Sequence, residues 1–152
     1  MATSNIKKIN IDVGSIIRAN DTKERLQRAI IDLTEGNVFY IKDKNELNEL
    51  NIKLVENKFV IEVVSNCQET NIVVFPLSPL RRVIKDYRII CDNYYDSVRV
   101  SDSRKIEAID MSRRGVHNEG SEIIEDLISN QINSDFETLR KLFSVVFILQ
   151  IK

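Results

Sequence analysis

The stretch MSRRGVHNEGS, Met111 to Ser121, holds two adjacent arginines, the chain's single histidine, an Asn, a Glu and two of its four glycines. His117 has the side chain whose ordinary pKa lies nearest neutrality. With Asp110 or Glu119 to orient it, His117 could move a proton, while Arg113 and Arg114 hold an anionic substrate. That is the outline of a small phosphoryl- or acyl-transfer enzyme. No motif singles out a nucleophile, because Ser112 and Ser121 lie in no G-x-S-x-G context. No glycine-rich phosphate loop occurs either. The same residues also fit a polar corner. Gly115 would close one helix, Asn118 would cap the next, and His117 would hydrogen-bond to backbone.

A second cluster follows Ser78. A helix N-terminus carries partial positive charge and favours acids. This one begins with Arg81 and Arg82 and adds Lys85 and Arg88, with Asp92 and Asp96 late. Arg81, Lys85 and Arg88 fall on one stripe, at i, i+4 and i+7. Such a stripe beside free N–H groups suits a phosphate, unless acids elsewhere in the fold pair with it. Ile89 lies on the opposite face and could mark a second contact surface, including a homodimer. Before the His117 corner, Asp110 and Arg113 fall within about 40° of the side set by Ile106 and Ile109, close enough to pair. The expected arrangement brings the Ser78 helix start and the Arg113–Glu119 corner into one polar site, with Asn118 beside it.

The elements that must position these residues follow from pattern. Ile9 to Val13 reads as a strand stopped by Gly14. Asp21 and Glu24 form a capping-box variant, and Leu26, Ile30 and Leu33 recur at helical spacing. That predicts a helix over 21–35, closed by a left-handed Gly36. Residues 38–41 read as a short strand, 43–50 as a polar loop or single helical turn, and 51–64 as a hairpin turning at Glu56-Asn57. Residues 71–75 make a further strand in an antiparallel meander. Then come helices: a long one capped by Ser78 with Pro79 in its first turn, one over 103–114, one from about 118–121, and a last one opened by the box Ser134 to Glu137. The end of the last helix is apolar on all sides, with a strand at 145–148 as the competing assignment.

The chain of 152 residues, 43% hydrophobic and 30% charged, predicts one α+β domain, sheet-rich over 1–76 and helix-rich over 77–152. The expected packing is an antiparallel sheet against a helical layer. A net charge of -1 argues against a protein whose whole surface grips nucleic acid. The longest apolar run, Leu142 to Leu149, is far short of a membrane span. Cys67 and Cys91 sit in no zinc-binding spacing. A cytoplasmic protein with no metal, no cofactor and no membrane partner is therefore expected.

The segments FPLSPLRRVIKDYRIICDNYYDSVR, KIEAIDMSRRGVHNEGSE and DFETLRKLFSVVFIL resemble the signature blocks of Uncharacterised Protein Family 0262, known mainly from alphaproteobacteria. The resemblance is close over the second half and looser before it. It implies a bacterial, cytosolic protein of the same fold and carries no activity, so no catalytic residue transfers from it. Three functional classes remain. One is a binding or regulatory module with an arginine-lined site for a phosphate-bearing small molecule or a protein. The second is an enzyme using His117 with Asp110 or Glu119. The third is a helical self-association module.

Overall fold

Alternating residues in the first half become strands, and the helical stripes of the second half become helices. The structure is a computed structural model and describes residues 5–12, 20–44, 46–65, 69–99 and 103–150. In chain order the elements are β1 (Ile6–Asp12), α1 (Asn20–Glu35), β2 (Phe39–Ile41), β3 (Asn48–Val55), β4 (Lys58–Ser65) and β5 (Thr70–Pro76). A 3-10 turn (Ser78–Leu80) leads into α2 (Arg81–Arg99), followed by α3 (Ser103–Ile128), β6 (Ile132–Ser134) and α4 (Phe136–Leu149). Val13, Gly14, Cys67 and the Asp21 side chain, all used in the sequence reading, lie outside the described residues.

The protein is α+β. Its main sheet has the order β1-β3-β4-β5. β3, β4 and β5 form the antiparallel meander. β1 runs parallel to β3, because α1 carries the chain back before the meander begins. Val55 pairs with Lys58 across the hairpin, and Glu56 takes φ 58°, the left-handed start of a two-residue turn. β2 and β6 form a separate two-stranded sheet. One face of the main sheet supplies Leu50, Ile52, Phe59, Ile61, Val63, Val73 and Phe75 to the core. Against them lies α4, where nine side chains from Thr138 to Leu149 are buried, including four in the run Val145 to Ile148. Burial on all sides is why this β-branched, aromatic segment is helical: its packing overrides strand propensity.

Several expected boundaries shift. Asn48 to Leu50, expected in a polar loop, begin β3 because Asn48 is held by backbone. Its N–H donates to the Asn5 carbonyl (2.6 Å) and its side-chain amide to the Phe39 carbonyl (3.2 Å). Gly36 is not left-handed. Instead Asn37 closes α1, donating to the Leu33 carbonyl (2.8 Å) while its Oδ1 accepts from the N–H groups of Asn5 and Ile6. Ser78 does not cap α2, since the chain enters through the 3-10 turn after Leu77, with no side-chain cap. At α4 the cap is Asp135, which accepts from the Thr138 N–H (2.9 Å), while Ser134 belongs to β6.

The largest correction concerns the His117 corner, which does not exist: α3 is one helix of 26 residues. Gly115 closes nothing, and Asn118 caps nothing. Gly120 is required for a different reason. A Cβ there would overlap the Phe143 ring, whereas a Cβ on Gly115 would meet nothing within 4 Å. Gly120→Ala should therefore cost on the order of 1–3 kcal/mol by overpacking. Gly115→Ala should gain about 0.5–1 kcal/mol from helix propensity. Urea unfolding of the two variants checks both signs, and a loss at Gly115 would mean that the helix breaks there after all.

Candidate functional site

His117 lies on the α3 face that also carries Ser121, Ile124 and Ile128, so its ring enters the core. It packs edge-on between Tyr87 and Phe143, with ring centroids 5.4 and 5.0 Å away. Its Nε2 is 2.9 Å from Ser144 Oγ, and that hydroxyl reaches the Arg140 carbonyl at 3.3 Å. The hydroxyl's single proton goes to the carbonyl, which makes His117 Nε2–H the donor to Ser144 by inference from the network. Nδ1 is then a bare acceptor, buried and without a partner among the described residues. Protonation would bury a charged donor there. Burial pushes the imidazole pKa down to about 4, the Arg140 and Arg113 charges push the same way, and Glu137 opposes them.

Ser144 and His117 open onto a cavity of about 210 Å³ between α1, α3 and α4, lined also by Ala29, Asp32, Glu137, Arg140 and Lys141. Its cations are already engaged. Arg140 pairs with Glu137 (3.2 Å), and Lys141 donates to the Gly36 carbonyl (2.8 Å). The carboxylates expected to orient His117 are engaged elsewhere. Asp110 binds Arg113 and Arg114, the latter at 3.2 Å, and Glu119 binds Arg82 at 3.0 Å. A Ser–His contact exists, but among the described residues no third group holds the ring for catalysis. Nearby, burial pushes the Tyr87 hydroxyl up to about 12 and raises the Cys91 thiol, so neither is an activated nucleophile. Among the described residues no three His, Cys, Asp or Glu side chains gather as metal ligands.

The arginines expected to share one site divide into two sets. Arg82 reaches Glu119 and, at 4.0 Å, Asp86, but its side chain is 80% exposed. Such a pair contributes at most about 1 kcal/mol, so it is no structural lock. Arg113 is sheltered: it bonds Asp110 and lies 4.7 Å above the Tyr94 ring. The partly buried Asp110–Arg113 pair is thus the one anticipated from helical angles. Asn118 is half-buried within α3, its Oδ1 without a partner among the described residues. Arg81, Lys85 and Arg88 form the other set. They line a cavity of about 200 Å³ with Leu77, Ile84, Phe147 and Gln150. Among the described residues no carboxylate pairs with any of the three. Ser144, Arg140 and Gln150 carried no sequence signal and Phe147 only that of a core residue, because they become neighbours of these groups only through the burial of α4. Ile89 is exposed, as are Tyr95, Val98 and Met111.

The His117 environment sets a pH dependence. At pH 7 the ring is neutral in both folded and unfolded chains. As pH falls through 6.5 toward about 4, the unfolded chain binds a proton that the folded one refuses, so stability is lost in that window. The loss is on the order of 3 kcal/mol, since each pKa unit is worth 1.36 kcal/mol. His117→Gln should flatten the wild-type stability profile between pH 6.5 and 4. Parallel profiles for the two proteins would refute the buried neutral ring.

The chain matches the family described as Uncharacterised protein family (UPF0262) over residues 3–152. It is 38% identical over 147 residues to the UPF0262 protein of Caulobacter vibrioides strain NA1000, covering 95% of this chain and 92% of the relative. To that of Methylobacterium radiotolerans it is 37% identical over 149 residues, covering 97% and 93%. To that of Rhizobium johnstonii it is 41% identical over 133 residues, covering 85% and 83%. No solved structure matches it. Relatives of this similarity over nearly the whole of both chains, together with the family match, place the protein as a member of the uncharacterised family UPF0262.

Proposed function

We propose that this protein is a non-enzymatic binding module that takes an anion at Arg81, Lys85 and Arg88. One observation carries the reading: three cations ring a cavity and no carboxylate among the described residues neutralises them. Asp92 lies one turn beyond Arg88 on the same stripe and forms no ion pair among the described residues. The C-terminal end of α4, at Gln150, adds about half a negative charge against three full positive ones. Among the described residues, more than two positive charges there are left without a partner. Like charges at i, i+4 disfavour a helix by about 0.2–0.5 kcal/mol, so this stripe costs stability unless something negative is bound. The His117 cleft offers less, since its cations are engaged and its histidine lacks an orienting carboxylate.

A thermal-shift titration with inorganic phosphate at low ionic strength tests the reading. Phosphate should raise the melting temperature of the wild type, by an amount equivalent to roughly 2.7 kcal/mol at 100 times its dissociation constant. The double variant Arg81→Gln, Lys85→Gln should lose that rise. Arg82→Gln and Arg114→Gln, whose cations already have partners, should keep it. An unchanged rise in the double variant, or no rise in the wild type, contradicts the assignment.

A further inference from the structure

The cationic cavity is not a bare anion hole. Its floor is apolar: Leu77 and Phe147 are 5% and 4% exposed, and Ile84 is partly buried beside them. Phe147 is fixed there because its ring packs edge-on against Tyr87, centroids 4.7 Å apart. The polar groups, Arg81, Lys85, Arg88 and Gln150, share the lining with this floor. A lone phosphate would engage the cations and leave apolar surface in contact with water. At about 200 Å³ the cavity has room for a short apolar body beside a headgroup.

We propose, resting on the anion reading above, that the ligand is amphiphilic: a phosphate or carboxylate headgroup on a short apolar body. The headgroup sits among Arg81, Lys85 and Arg88, and the Gln150 amide serves as a further donor. The body lies on Ile84, Leu77 and Phe147. The same chemistry occurs in a free acyl or aryl phosphate and at the headgroup end of a lipid.

Calorimetric titration of the whole chain with inorganic, ethyl, butyl and hexyl phosphate, and with hexanol, tests this. Each buried methylene should tighten binding about fourfold up to hexyl, and hexanol should not bind. Arg88→Gln should weaken every phosphate by the same factor. Ile84→Ser should flatten the dependence on chain length, and if that variant fails to fold the wild-type series still decides. Equal affinity for all the phosphates overturns the amphiphile and leaves the anion site standing. No binding of any phosphate removes both. Sedimentation with phosphatidylglycerol vesicles separates the sources. Vesicle binding together with hexyl phosphate binding supports a ligand drawn from a bilayer, and hexyl phosphate binding alone supports a free one. Vesicle binding without hexyl phosphate binding overturns the cavity site in favour of a cationic surface.

Discussion

The close approach of α3 to α4 at Gly120 and Phe143 sets the geometry of the helical half. The C-terminal end of α4, Val145 to Leu149, is apolar around its whole circumference and must be covered on every side. α3 covers one side, and only a residue without a side chain lets its backbone meet the Phe143 ring. That contact fixes the rotation of α3 about its axis. His117, three residues earlier, is thereby turned onto Ser144 and under Tyr87. Tyr87 in turn seats α2 on Phe143 and Phe147. With α2 so seated, the stripe Arg81, Lys85, Arg88 faces the end of α4, while Arg82 is on the side of Glu119. One glycine thus helps decide which cations find partners.

Much of this was legible in the sequence, and the misses have physical causes. The hairpin at Glu56-Asn57, the helix through Leu26 and Leu33, and the apolar last helix follow from clean periods of two and 3.6. The displaced cap signals are local competitions. Ser134 and Asp135 are adjacent and both suit a cap, and Asp135 wins because Ser134 pairs with Phe39 in the small sheet. Of that sheet only β2 was legible, as the short strand read over 38–41, while β6, three residues long and far along the chain, carries no period. Gly115 was misleading because a glycine interior to a helix costs only about 1 kcal/mol, which tertiary packing on either side outweighs. Once the helix is continuous, His117 is a core residue and not the apex of a loop. The carboxylates assigned to it turn toward arginines on the same or a neighbouring helix.

The charge anomaly at the start of α2 was legible from sequence, but its resolution was not. Helical angles show that Arg81, Lys85 and Arg88 share a stripe. They cannot show that Glu119 and Asp110 neutralise Arg82, Arg113 and Arg114 while leaving that stripe alone. Nor can they show an apolar floor beneath it, since Phe147 arrives from α4, far along the chain. The paired arginines belong to the architecture of α2 and α3, and the stripe, unpaired among the described residues, is the part of the surface that architecture does not explain.

On the reading proposed above, this stripe serves a ligand and not the fold. The most direct test is the unfolding free energy, at low ionic strength and without added anion, of the triple variant Arg81→Gln, Lys85→Gln, Arg88→Gln. Glutamine retains much of each aliphatic stem over the cavity while removing its charge. If the stripe is unpaired, relief of like-charge repulsion leaves the variant as stable as the wild type or a few tenths of a kcal/mol more stable, with the difference vanishing in high salt. A loss of more than about 1 kcal/mol would mean that the three cations hold the fold together, and would contradict the account.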